Sequence, residues 1–401
     1  MIVAFRTSIV PPNLISRILF IIALFLPLSI YGKKIYLPCL ITFVTVSLNS
    51  FAFGYLPYEI ATYSIVCCGS LLLLKSELKI QPFYLFSLLY ISCVNVITSG
   101  SPQNIFWSIA TIALGSYLAD KNSSNNRFYM LNAFSIISLI LSILYLLNYE
   151  AFLDTYNSSD GIQRSGWTDP NYLSCIVGMG VISSLILLIK NNTKRFLLKL
   201  FWIVTITISI MSQILLASRG GLLCTSISVM CLIAFINIKT RYKLFLILTL
   251  CCFIVFLYNN NYFELLTYRM QNDSTDSGRM DIWNMKLSLF FQEGNIFTWL
   301  FGIGYEKAFR LSYTSQAIGF HNDFLAMFCG YGIIGFVVFV YKIFISPLSN
   351  IKNTNRSILI SLIAYLLIAC LTLEPLASGN LTYWAFYYLI LLFCKKETSN
   401  Q

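Results

Sequence analysis

The sequence predicts an all-α polytopic membrane protein with about 12–13 transmembrane helices and one large extracytoplasmic loop. Three observations predict it. Of the 401 residues 57% are hydrophobic and only 11% are charged, and the mean hydropathy is +0.74, too little charge to keep a soluble surface wet. Uncharged apolar runs of about 20 residues recur, each long enough to cross a bilayer as a helix that satisfies its own backbone hydrogen bonds. Basic residues collect in alternate connections between those runs, as the positive-inside rule requires.

The runs lie near 14–31, 36–54, 58–74, 83–98, 104–119, 128–148, 171–189, 197–217, 220–237, 243–258, 323–345, 357–373 and 380–394. The first follows Pro11-Pro12 and leads into further spans without a small-residue cleavage site, so it is expected to be retained and not removed as a signal peptide. Trp107, Tyr258, Trp299, Tyr341, Tyr383 and Trp384 stand near run ends, where aromatic rings sit at lipid headgroups or pack between helices. No repeat at a fixed period is visible, and the two halves show no matching pair of broken helices.

The connections that collect Lys33, Lys34, Lys75, Lys79, Lys121, Arg127, Lys190, Lys194, Arg195, Lys199, Lys239, Arg241, Lys243, Lys342, Lys352, Arg356, Lys395 and Lys396 are assigned to the cytoplasm. Together they hold 18 of the 27 basic residues. The acidic residues divide the other way, with Glu77, Asp120 and Glu397 alone of the 16 on the basic side. The carboxyl terminus is then cytoplasmic. An odd number of crossings puts the amino terminus outside, against the preference of Arg6 and Arg17, so sidedness is read from the second half onward. Two outer connections are long, 149–170 and 259–322, and long loops are uncommon unless functional.

The 12 cysteines lie in or beside apolar runs, as Cys67, Cys68, Cys251 and Cys252 do, and none lies in the long loop. They read as small packing residues and not as a disulfide framework. The net charge of +11 suggests anionic lipid or phosphate partners. Its scatter between spans argues against nucleic acid.

Four short motifs carry candidate chemistry. Thr168-Asp169-Pro170-Asn171 opens a span: Asp169 suits a helix N-cap and Pro170 the first helical position, and a ligand role for Asp169 or Asn171 can coexist with capping. Ser218-Arg219-Gly220-Gly221 joins two spans with almost no linker. Arg219 there either snorkels to headgroup phosphate or holds a phosphate group in two-point contact, with glycine backbone free to approach. Asp276-Ser277-Gly278-Arg279 precedes a helix expected to reach about Gln292, capped by Asp276 or Ser277. Ile282, Trp283, Leu287 and Phe290 share a face with Arg279 and Lys286. This suggests a helix lying on the membrane with its cations aimed at the phosphate layer.

Leu300-Phe301-Gly302-Ile303-Gly304 reads as a tight turn, too short to indicate nucleotide binding. The fourth motif is Phe320-His321-Asn322-Asp323, where the long loop re-enters the membrane ahead of Gly332 and Gly335. Asn322 or Asp323 can cap the new span. His321 is the only histidine, which excludes a multi-histidine metal site. Its side chain type titrates near neutrality and is the natural proton acceptor, although a lone histidine is often structural. Carboxylates such as Glu306 and Asp323 can hold a cation, but nothing specifies one.

The order of these pieces resembles the superfamily of O-antigen ligases and Wzy-type O-antigen polymerases. The resemblance rests on Asp169-Pro170-Asn171, Ser218-Arg219-Gly220-Gly221, Ser277-Gly278-Arg279 with Trp283, Gly302 and Gly304, and His321-Asn322 with Gly332 and Gly335. It covers roughly 165–340. Residues 1–160 match only as transmembrane helices, and 161–401 form the ligase/polymerase-like catalytic region with periplasmic loop 259–322.

The resemblance implies a GT-C-like glycosyltransferase fold in the bacterial inner membrane, with a periplasmic active site. It implies undecaprenyl-diphosphate-linked oligosaccharides as donor and acceptor, inverting transfer without a metal or other cofactor, and room for a chain-length regulator as partner. His321 would be the general base, Arg219 and Arg279 the diphosphate-binding residues, and Asp169, Asn171, Gly220 and Asn322 their support. Polymerase is the favoured reading, because the lean toward Ile, Asn and Lys fits AT-rich surface-polysaccharide genes. The alternative is a ligase that transfers the glycan to lipid A–core. A polysaccharide flippase or other transporter is the rival from another class. Transporters place ionisable groups near the midplane, whereas here the charges sit at span ends.

Overall fold

The computed structural model describes residues 124–147, 170–190, 196–237, 239–264, 278–313, 319–349, 356–377 and 381–394, with short pieces within 89–98 and 266–271. The apolar runs before residue 83, the run 104–119 and the connection 149–169 lie outside the described residues, as do Lys33, Lys34, Trp107, Lys121 and Lys395. No strand occurs among the described residues.

All eight predicted runs from 128 onward are helices. They are α1 (Ser124–Leu147), α2 (Pro170–Lys190), α3 (Phe196–Leu215), α4 (Arg219–Phe235) and α5 (Thr240–Asn259). After the long loop come α9 (Asp323–Val340), α11 (Arg356–Thr372) and α12 (Leu381–Cys394). A π turn (Tyr341–Ile345) carries α9 into the short α10 (Ser346–Ser349). Five stretches are long and apolar enough to cross a membrane: Arg127–Leu147, Pro170–Lys190, Phe196–Leu215, Thr240–Asn259 and Asp323–Ser349. Among the described residues of the loop, α6 (Arg279–Glu293), α7 (Ile296–Phe301) and α8 (Tyr305–Arg310) are helices, and residues 264, 266–267 and 271 are helical as well.

In lipid, apolar surface does not drive helices together; small residues and buried hydrogen bonds do. The seams here are built that way. Ser138 bridges to Ser209 (2.7 Å) and donates to the Val177 carbonyl (2.8 Å), tying α1 to α2 and α3. Gln213 of α3 donates to the Ser174 carbonyl (2.7 Å) and to Thr225 (2.9 Å), joining α2 and α4. Ser228 and Ser361 pair across α4 and α11 at 2.8 Å, and Tyr365 donates to the Cys175 carbonyl. Cys175, Cys224, Cys329 and Cys370 are free and buried among these helices. Of the aromatics at run ends, Tyr258, Trp299 and Tyr341 are exposed, whereas Tyr383 is buried between helices.

Charges separate to the two ends of the bundle. Arg127 donates to the Leu392 carbonyl (3.0 Å) and lies over the Phe393 ring, as Lys190 does. The opposite end holds the starts of α2, α4 and α9 and the end of α11.

Helix α9 is broken in its middle. Gly332 has φ 65°, ψ −173°, a conformation open to glycine alone without strain. The carbonyls released near the break find partners: Cys329 accepts from the Ile303 N–H (3.1 Å), Gly330 from the Gly304 N–H (2.8 Å), and Tyr331 from the Tyr90 hydroxyl (2.7 Å). The predicted tight turn at Gly302-Ile303-Gly304 is therefore a close backbone contact with α9. A side chain at Gly302 would collide with Gly330, and one at Gly332 with Leu300.

Candidate active site

The first segment of the site joins two motifs that are far apart in sequence. Pro170 is the first residue of α2, and Asp169, its predicted cap, lies outside the described residues. Asn171 accepts the Ser218 hydroxyl at 3.0 Å through Oδ1. Ser218 is the N-cap of α4 and accepts the Gly221 N–H at 3.3 Å, so one hydroxyl holds both helix starts together. Arg219 is the first residue of α4 and is partly exposed. Gly220 faces the side chain of Thr372 at the end of α11, and Gly221 lies against Ser174. A side chain at Gly221 would collide with Ser174, and one at Gly220 would press on Thr372.

The second segment is α6, and two expectations for it are corrected. The helix starts at Arg279, with Gly278 at the cap position in the left-handed region (φ 72°). Asp276 and Ser277 were expected to cap it and lie outside the described residues. Lys286 does not aim at a phosphate layer. It is fully buried, and its ammonium donates to the carbonyls of Ala308 (3.2 Å), Phe309 (2.8 Å) and Leu311 (3.0 Å).

The apolar face of α6 is likewise covered by protein. Leu289 and Phe290 pack with Ile303, Ala308, Leu311, Phe320, Ala326 and Cys329. Helical periodicity tells which face is apolar but not what covers it, and here the partner is α8 and α9. Trp283 on this face donates from Nε1 to the Phe320 carbonyl at 2.7 Å. Arg279, one turn earlier, is partly exposed.

The third segment is 319–323. His321 is one of three non-glycine residues with positive φ among the described residues, at 50°, a conformation that costs an L-residue about 1 kcal/mol or more. Its neighbours are held on several sides. Glu374, buried at 4% exposure, accepts the Phe320 N–H at 2.8 Å and also the His321 N–H. Asn322 caps α9, accepting from Phe324 (2.9 Å) and Leu325 (3.2 Å).

Asp323, the other candidate cap, turns away. Its carboxylate accepts the N–H groups of Leu376 (3.1 Å) and Ala377 (2.7 Å), and its own N–H donates to Leu373 (3.1 Å). Glu306 forms an exposed ion pair with Arg310 (2.8 Å). Both carboxylates raised as cation ligands therefore have protein partners.

Burial governs the electrostatics of this cluster. It pushes the Glu374 carboxyl up to about 7, against the N–H groups it accepts and the nearby Lys286 charge. It pulls the Lys286 ammonium down to about 8, with Glu374 opposing. The Tyr305 phenol is raised by burial and then by Glu374.

These contacts bring the segments into one connected junction. From Arg219 the path runs through Gly220 to Thr372, along the chain to Glu374, and across hydrogen bonds to Phe320 and His321. From there it passes through Trp283 to the helix that opens with Arg279. Glu374, the Asp323 clamp and the buried Lys286 were not anticipated. The only signal for Glu374 was an acidic residue wedged between Leu373 and Pro375 in a short apolar connection.

The family model described as O-antigen ligase (Wzy_C) matches residues 203–340, a stretch that contains Arg219, Arg279 and His321 but neither Asn171 nor Glu374. No curated protein and no solved structure matches the chain. The helical bundle and this match agree: the chain is an all-α multi-pass membrane protein, and its residues 203–340 are similar to the O-antigen ligase family, which supports a glycosyltransferase-type enzyme acting on lipid-linked glycans.

Proposed function

We propose that the chain is an O-antigen polymerase. It joins undecaprenyl-diphosphate-linked repeat units at the periplasmic face of the bacterial inner membrane, within a catalytic region spanning 161–401. The observation that carries this reading is the junction itself. Two helices that open on Arg219 and Arg279 are tied by packing and hydrogen bonds to the segment of His321. The gathering of basic residues such as Arg127 and Lys190 at the opposite end of the bundle supports a periplasmic site and a cytoplasmic carboxyl terminus.

In this reading an acceptor sugar hydroxyl attacks the anomeric carbon of the donor's reducing-end sugar, with inversion. The new glycosidic bond forms as the bond to the diphosphate oxygen breaks. The hydroxyl proton passes to His321, and the lipid diphosphate leaves with the bonding electron pair. Arg219 and Arg279 stabilise the charge it gains. Each charge-assisted hydrogen bond contributes about 1.5–3 kcal/mol, and both helix N-termini favour an anion. Asn171 and Gly220 support the first arginine and Asn322 the histidine segment; Asp169 is proposed to assist at the start of α2. The leaving group is already activated, so no nucleotide is consumed.

The second reading is O-antigen ligase, favoured by the description of the matching family model. Surface-glycan profiles of a deletion strain separate the two. Loss of a polymerase leaves a single repeat unit on the lipid A–core, and loss of a ligase leaves bare core. A profile without any exported repeat unit would overturn both and restore the flippase reading. Complementation with Arg219→Ala or Arg279→Ala should fail at normal protein level; restored polymer from both would remove the assignment of the arginines.

A further inference from the structure

His321 sits in a strained conformation that its own sequence does not favour, and the contacts around it come from two other parts of the chain. On one side Glu374 accepts the N–H groups of both Phe320 and His321. On the other, Trp283 takes the Phe320 carbonyl (2.7 Å), and the Lys286 ammonium lies 4.5 Å from the centre of the Phe320 ring. Lys286 is itself fixed by three carbonyls of the 308–311 turn. Glu374 and Lys286 are thus opposite charges on either side of one residue, both buried. The backbone of residue 320 is held at its N–H and its carbonyl at once. Asp323 ties the start of α9 to the same 373–377 turn through its carboxylate and its own N–H.

Burying two charges is costly unless each is paired and hydrogen-bonded. Here the hydrogen bonds of Glu374 go to the backbone at Phe320 and His321, and those of Lys286 go to the 308–311 turn that packs beside them. A packing role alone is served as well by apolar residues of the same size.

We propose that Glu374 and Lys286 are positioning residues that hold His321 in its left-handed backbone conformation and so set the direction of its imidazole at the junction. This rests on the reading of His321 as the proton acceptor. Glu374 acts on the two N–H groups, and Lys286 acts through the Phe320 ring and the 308–311 turn.

The single histidine makes the test specific. In detergent-purified full-length protein, the rate at which diethyl pyrocarbonate carbethoxylates His321, followed by peptide mass spectrometry, reports its setting without any glycan substrate. Glu374→Ala should change that rate at least threefold, and Lys286→Met should change it in the same direction. Glu374→Gln, which keeps the shape and one acceptor oxygen, should fall between parent and Glu374→Ala in both rate and surface-glycan yield. Gly319→Ala is a second route to the same end, because a methyl group there would collide with the Glu374 carboxylate and displace it without removing it. It remains informative if Glu374→Ala does not fold.

A parental carbethoxylation rate in Gly319→Ala and in whichever Glu374 variants fold would overturn the proposal. Full glycan yield from His321→Ala would instead overturn the general-base reading and leave the carbethoxylation result standing.

Discussion

Both candidate diphosphate-binding arginines open a helix, but the two helix starts are built differently. Arg219 follows a side-chain cap: Ser218 accepts the Gly221 N–H and donates to Asn171, and the first turn lies against Ser174 and Thr372. Arg279 follows a glycine in the left-handed region, and nothing lies within 4 Å of where a Cβ of Gly278 would stand. Helix α6 is fixed one and two turns later, by Trp283 and Lys286. One arginine is placed by the transmembrane bundle and the other by the loop's own core. A site with one arm in the bundle and one in the loop can take hold of a lipid headgroup from two directions. The loop arm depends on contacts remote from the arginine itself.

The largest effect that would sharpen this comparison lies where the two arms meet. His321→Ala is expected to lower the transfer rate by about 10²–10⁴-fold if it removes the base, with His321→Gln nearly as severe; unchanged turnover in both would leave the residue structural. Next come the arginines. Arg219→Lys and Arg279→Lys keep the charge but lose the forked donor geometry, and each should lose roughly tenfold or more in rate. If only one does, the two arms do not share the diphosphate.

A smaller effect concerns the loop core and pH. Glu374 is raised, to about 7, from an ordinary 4.5. Its contribution to stability is present below the ordinary range and is lost as pH rises through about 7. Lys286 is lowered, to about 8, from 10.5. The folded state therefore resists its charge below about 8, and stability recovers as pH rises from there. Melting temperature of the purified protein should pass through a shallow minimum between pH 7 and 8, with each limb worth roughly 1–3 kcal/mol. Glu374→Gln should flatten the acidic limb and Lys286→Met the alkaline one. A profile unchanged by either variant would separate these groups from the stability of the loop.

The smallest effects test the helix starts directly. Ser218→Ala removes a cap and a bridge and should cost about 1 kcal/mol. Gly278→Ala meets no neighbour and should cost about 1 kcal/mol from backbone strain alone. Activity that follows stability at 278 but falls further at 218 would fit a bundle arm built to hold its arginine still.

How much of this was legible depended on the range of the interaction. Asn322 announced its role as a cap because a cap acts over three residues, and it does accept from Phe324 and Leu325. Gly302 and Gly304 announced a turn, but not that the turn would supply N–H partners to the broken middle of α9. Lys286 fell on the same helical arc as Arg279 and was read with it. One is buried on carbonyls and the other is partly exposed, a difference that periodicity cannot express. Glu374 carried almost no signal, since its partners lie 53 and 54 residues away in the chain.

By itself the sequence determined the membrane-spanning character and the helical runs from 128 onward, and it offered the candidate residues for the chemistry. Those follow from hydrophobicity, length and side-chain type, which are local properties. The tertiary structure decided which backbone groups meet Glu374 and Lys286, where α9 breaks, and how Asn171, Ser218 and Thr372 come to the same end of the bundle. A buried polar group must find a partner wherever the fold brings one within about 3 Å, and that partner is set by the packing of distant helices.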